Sequence, residues 1–90
     1  MSLKLSLYVN LTAFRTPRIV EAVERTFADG LAAGDVHLEV IDVLTNPRRL
    51  EAANIVVTPT LVRESPTPEK RVVGDLSRPG KLAGIVEKSW

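Results

Sequence analysis

No cysteine occurs in the 90 residues, which removes disulfides, thiolate metal sites, cysteine nucleophiles and thiol redox chemistry together. Histidine occurs once, as His37, and a lone imidazole has no second histidine for a metal site and no obvious partner for a catalytic dyad. One Trp, one Tyr and two Phe are too few for a base-stacking platform, and a formal charge of +1 makes no basic surface suited to phosphate backbones. Nucleic acid is therefore not an expected partner. The opening "MSLKLSLYVN" has neither the charged start nor the long apolar run and cleavage site of a signal peptide, and no run reaches the roughly 20 apolar residues of a membrane span. A cytoplasmic chain that makes no use of a membrane is expected.

What is present describes a packed domain. With 44% hydrophobic and 26% charged residues the chain is ordinary for a globular protein, and 90 residues leave room for one core, so residues 1–90 are read as one domain. The charge is uneven. Residues 1–45 carry four basic and six acidic side chains, a balance of −2, and residues 46–90 carry eight and five, a balance of +3.

In "LKLSLYV" Leu3, Leu5, Leu7 and Val9 alternate with Lys4, Ser6 and Tyr8, the period of a strand. "TPRIVEAVERTFADG" changes to a helical period: Ile19, Val20, Val23 and Phe27 share one face, Thr16 is available as N-cap with Pro17 as first helical residue, and Gly30 or Gly34 can end the run. "DVHLEVIDVL" is continuous enough for a well-buried strand, with Val36, Leu38 and Val40 on one face and Ile41 and Val43 on the other. Asn46 and Pro47 then open a second helix of about two turns with Leu50 and Ala53 on its apolar face. "IVVTPTLVRE" and "KRVVGDL" are strand-like, near 56–64 and 70–74, and "SPTPE" joins them as a hairpin. A last helix near 79–88 places Leu82, Ile85 and Val86 together, although Gly80 and Gly84 each cost it up to about 1 kcal/mol relative to alanine. Trp90 is read as a lid on the core.

The order βαβαββα is the thioredoxin-like α/β arrangement. Pro59 would break the ladder inside a strand, and a cis Thr58–Pro59 bond at the start of the third strand removes the difficulty.

Three blocks carry a more specific resemblance: "LYV" followed by the Thr16-Pro17 helix start, "VIDVLTNP" running on to "VVTPTL", and "RVVGDLS". Over nearly the whole chain the sequence resembles the KaiB family of circadian clock proteins. The resemblance implies a non-enzymatic adaptor that binds and regulates a KaiC-like ring ATPase, with KaiA as a further partner and a SasA-like kinase as competitor. It also implies fold switching between the monomeric thioredoxin-like state and a tetrameric βαββααβ state. The family's partner surface maps onto Arg63, Lys70 and Arg71 of the hairpin and onto His37 and Glu39 of the second strand. Glu39 stands where the family tends to have lysine, and "NLTAFR" lengthens the loop before the first helix.

No cofactor and no metal site is expected, and no catalytic residue. Asp42 and Asp75 are placed to stabilise turns, and a Thr-Pro helix start is common for structural reasons. The competing reading is a thioredoxin-fold binder of glutathione or another small ligand, using Thr16 and the backbone at Pro59. For the hairpin cations, a solvated face competes with a partner surface, since exposed charges act mainly on association rate and specificity.

Overall fold

The computed structural model describes residues 2–86. The alternating run forms β1 (Leu3–Val9), and the helical run forms α1 (Thr16–Thr26) and α2 (Ala28–Ala33) where a single helix was expected. Thr26 Oγ1 donates to the Ala22 carbonyl at 2.7 Å, a side-chain bond that competes with the helical ladder, and Phe27 leaves helical geometry at φ −108°. Gly34 ends α2 at φ +82°, and the Asp35 N–H closes back onto the Gly30 carbonyl at 2.8 Å. Gly30 itself lies so close to the next strand that a Cβ there would clash with Val36 Cγ2.

β2 (Val36–Asp42), α3 (Pro47–Ala52), β3 (Thr60–Ser65), β4 (Lys70–Val73), α4 (Pro79–Ala83) and a 3₁₀ turn (Gly84–Val86) complete the order. The sheet runs β2-β1-β3-β4, with β1 parallel to β2 and the other neighbours antiparallel. This is the expected thioredoxin-like arrangement: residues 60–73 make a hairpin and 79–86 are helical, in place of the alternative βαββααβ order. The Thr58–Pro59 bond is cis and the strand begins immediately after it, so Pro59 takes no part in the ladder.

Alternation divides the sheet into two faces. On one, Leu5, Leu7, Val9 and Leu61 pack with Ile19 and Val23 of α1 and with Leu76, Leu82 and Ile85. Full burial of a leucine or isoleucine contributes about 1.5–3 kcal/mol, so this cluster dominates stability. On the other, Tyr8, Ile41 and Val62 pack with Leu50 of α3 and with Val43, Ala53 and Ile55, which flank that helix in the chain.

Several expectations are corrected. β2 is an edge strand, not a well-buried one: Ile41 is its one buried residue and Val40 is 37% exposed. β3 starts at Thr60 and leaves Val56 and Val57 exposed, because the chain is still approaching the sheet there. Leu82 and Ile85 face the core as expected, but Val86 is exposed. Trp90, and the end of the helix expected to 88, lie outside the described residues. Thr16 does not cap α1 with its side chain; its hydroxyl donates to the Asn10 carbonyl instead. Asn46 precedes α3 without a side-chain cap and donates through Nδ2 to the Asp42 carbonyl at 2.9 Å.

Candidate functional site

The sheet face under α3 is only half covered. Lys4, Ser6, His37, Glu39, Glu64 and Arg71 alternate onto the same face as Tyr8, Ile41 and Val62, and the apolar cover from Leu50 of the short α3 and from its flanks lies on the latter three. The result is a polar, charged sheet surface beside a small helix.

That helix is held from both edges of the sheet. From β2, Glu39 takes a bidentate pair from Arg49, with Nη2 to Oε1 at 2.8 Å. From β4, Arg71 donates Nη1 to the Asn54 carbonyl at 3.3 Å and Nη2 to the Ala53 carbonyl, and its Nε pairs with Glu69 at 3.0 Å. Ala53 is the C-cap of α3, so the Arg71 cation neutralises carbonyls left open where the helix ends. Hydrogen bonds from Arg49 hold the Glu39 carboxyl below its ordinary range, and the same pair raises the Arg49 guanidinium. Beneath the helix Tyr8 is 3% exposed; burial, and then the negative charge of Glu64, push its phenol up. Glu64 accepts from Ser6 Oγ at 2.9 Å and lies 3.7 Å from Lys4 Nζ.

Of the residues anticipated as a partner surface, three share this face. Glu39 and Arg71 are the two clamps on α3, and His37 stands exposed on the edge strand, its side chain without a hydrogen bond or ion pair among the described residues. Lys70 and Arg63 do not join them. They oppose each other in register on the α1 side of the sheet. Lys70 is half-buried, and Arg63 is 4% exposed, donating Nη1 to the Ile85 carbonyl at 3.1 Å and Nη2 to the Pro68 carbonyl at 2.8 Å. This corrects the expectation of a surface arginine: the side chain is a tie between β3, the hairpin loop and the C-terminal turn. Arg49 was missed by sequence reasoning, because nothing in the sequence shows which strand residue α3 will cross.

The cleft beside cis Pro59, about 140 Å³, is lined by Val9, Ala13, Thr16, Ile19 and Thr58 among others. Thr16 is 5% exposed there, its hydroxyl is turned to Asn10, and the lining supplies no carboxylate or histidine to act as its base. The aspartates do the turn work expected of them. Asp42 Oδ1 accepts from the Leu44 N–H at 3.2 Å and the Leu11 N–H at 3.5 Å, and Asp75 Oδ1 accepts from the Ser77 N–H at 3.1 Å. The Ser77 bonds, with Arg78 nearby, hold the Asp75 carboxyl below its ordinary range. Among the described residues no helix is long and apolar enough to cross a membrane, and no cluster of three metal-ligating side chains forms.

Comparison with known proteins places this geometry. A family model described as "KaiB domain" matches residues 6–86. The circadian clock protein KaiB3 of Synechocystis sp. (strain ATCC 27184 / PCC 6803 / Kazusa) is 37% identical over 79 residues, covering 87% of this chain and 76% of that one. The circadian clock oscillator protein KaiB of Prochlorococcus marinus (strain MIT 9313) is 43% identical over 75 residues, covering 81% of this chain and 60% of its own length. Among solved structures, the N-terminal domain of SasA from Synechococcus elongatus superposes with a TM-score of 0.75 at 31% identity, covering 93% of this chain and 78% of that one. Mitochondrial thioredoxin 3 from Saccharomyces cerevisiae reaches 0.74 at 15% identity, covering 93% and 76%, and shows the likeness of fold alone.

Proposed function

This chain belongs to the KaiB family of circadian clock proteins, and from that premise we propose that it is a non-catalytic adaptor that docks on a KaiC-like ring ATPase and regulates it. The observation that carries the reading is the half-open sheet face, where His37, Glu39 and Arg71 stand beside the clamped helix α3. Such a surface offers a partner charge beside the half-buried apolar margin of Val43, Leu50 and Ile55, and charge of this kind acts chiefly on association rate and specificity. Lys70 adds a cation at the hairpin edge. Arg63 enters by holding the hairpin to the C-terminal turn, not by touching the partner.

In this reading the thioredoxin-like monomer is the binding-competent state, and a tetrameric βαββααβ state is its reservoir. The protein is placed in the cytoplasm, where a SasA-like kinase, whose N-terminal domain has the same fold, competes for the ring. KaiA remains a second partner in the proposal, opposed by the negative charge of Glu39 on β2. The test is co-elution of the chain with a KaiC-like ATPase in the presence and absence of ATP. Nucleotide-dependent co-elution and a changed ATPase rate support the proposal; a chain that elutes alone under both conditions overturns it.

A further inference from the structure

A second surface lies on the α1 side of the sheet, at the end where β1 runs out. The cleft beside Pro59 adjoins another of about 330 Å³ that reaches Asp75 and Ser77, and Arg15 and Ile19 line both. Together they form a groove around the start of α1. Phe14, 97% exposed, and Arg18 stand on it. The side chains of Arg15 and Arg18 make no hydrogen bond or ion pair among the described residues, whereas the one carboxylate on the groove, Asp75, is taken up by Ser77 and Arg78 and feels the charge of Arg15 only at a distance. The groove therefore presents two guanidinium groups without a hydrogen-bonded carboxylate, and its own carboxylate is already satisfied.

The loop that carries it is fixed in place. Asn10 accepts the Ala13 N–H at 3.0 Å through its carbonyl and the Thr12 N–H at 2.9 Å through Oδ1, Thr16 Oγ1 donates to the same carbonyl, and the Leu11 N–H reaches Asp42. An aromatic side chain nearly fully in solvent on a pinned loop is exposed by construction, and such side chains are typical anchors of interfaces.

We infer that this groove docks an acidic segment of a partner protein, seating an aliphatic side chain in the apolar cleft beside Pro59 and placing carboxylates on Arg15 and Arg18. Concavity favours an extended peptide over a flat lipid surface, and the free cations favour an acidic one. The adaptor reading uses the opposite face of the sheet, so the two surfaces fail or stand separately.

The probe is a fluorescein-labelled peptide of eight glutamates flanking two central leucines, titrated against the chain by anisotropy. Saturable binding is expected, weakened about tenfold or more by the double substitution Arg15→Glu/Arg18→Glu and several-fold by Phe14→Ser, and unchanged by Arg71→Ala. A peptide with serines for the leucines should bind several-fold more weakly, and one with lysines for the glutamates should not bind. Because Phe14, Arg15 and Arg18 are exposed, their variants are expected to keep the parent's circular dichroism. The inference is overturned if the charge-reversed variant binds equally, or if the leucines make no difference. It is also overturned if Phe14→Ser instead abolishes binding to phosphatidylserine vesicles or self-association of the chain while peptide binding is absent.

Discussion

Replacing Arg63 by methionine separates the two roles this residue has been given. As a surface contact it would contribute little to stability, since exposed substitutions usually stay within about 0.5 kcal/mol. The structure instead has it 4% exposed, with one guanidinium nitrogen on the Ile85 carbonyl and another on the Pro68 carbonyl. Hydrogen bonds from a charged donor contribute about 1.5–3 kcal/mol each. Methionine keeps most of the apolar stem and removes the cost of burying a charge, which offsets part of the loss. The Pro68 carbonyl sits on an exposed turn and regains water, whereas the Ile85 carbonyl lies at the buried turn after α4. A net loss of about 1.5–3 kcal/mol follows. For a domain of this size that is a fall of roughly 6–24 °C in melting temperature, at about 4–8 °C per kcal/mol. Urea unfolding followed by far-ultraviolet circular dichroism measures it directly. Arg63→Lys should also destabilise, because an ammonium does not reproduce the planar fork. A change under about 0.5 kcal/mol in both variants, together with slower association with the ring, would refute the buried-tie account and restore Arg63 to the partner surface.

Arg71→Glu should reverse the charge at the end of α3, destabilise the domain by about 1 kcal/mol through loss of the C-terminal carbonyl contacts, and slow association with the ring; unchanged urea midpoint and association rate would contradict both roles. The Glu39 carboxyl is held lower in the folded than in the unfolded chain, so its contribution is full above the ordinary glutamate range and is lost as pH falls through the depressed value. Protection of the amides in residues 48–54, taken relative to intrinsic exchange at each pH, should therefore fall on acidification toward pH 3, and Glu39→Gln should lower it already at pH 6 and flatten that dependence; a parent and variant with the same pH profile would discount the clamp. Thr16→Ala should leave a glutathione conjugation assay at background, as in the parent; turnover in the parent lost in the variant would reverse the non-catalytic reading.

Much of the architecture was legible because local and tertiary preferences agree. β1 alternates with period two and is buried on its core face by that same alternation, and Pro59 announced the start of β3 because it is barred from a ladder. What escaped depended on position in the sheet. β2 looked buried because its sequence is apolar on both faces, but an edge strand covered only in part leaves Val40 in solvent. Thr16 looked like a cap because residue type marks helix starts, yet the long 10–15 loop offered its hydroxyl the Asn10 carbonyl. The site was half legible. His37, Glu39 and Arg71 do share a face, but alternation along β3 put Arg63 on the other side, and only strand register reveals that Arg49 crosses Glu39.

The most direct test of the adaptor account is hydrogen exchange on the chain in complex with a KaiC-like ring and ATP, compared with the free chain. The account predicts added protection in residues 37–41, 49–54 and 70–73, the open sheet face and its clamped helix, with residues 18–26 of α1 unaffected. Protection confined to the α1 side, or none in a complex shown to be intact, would contradict it.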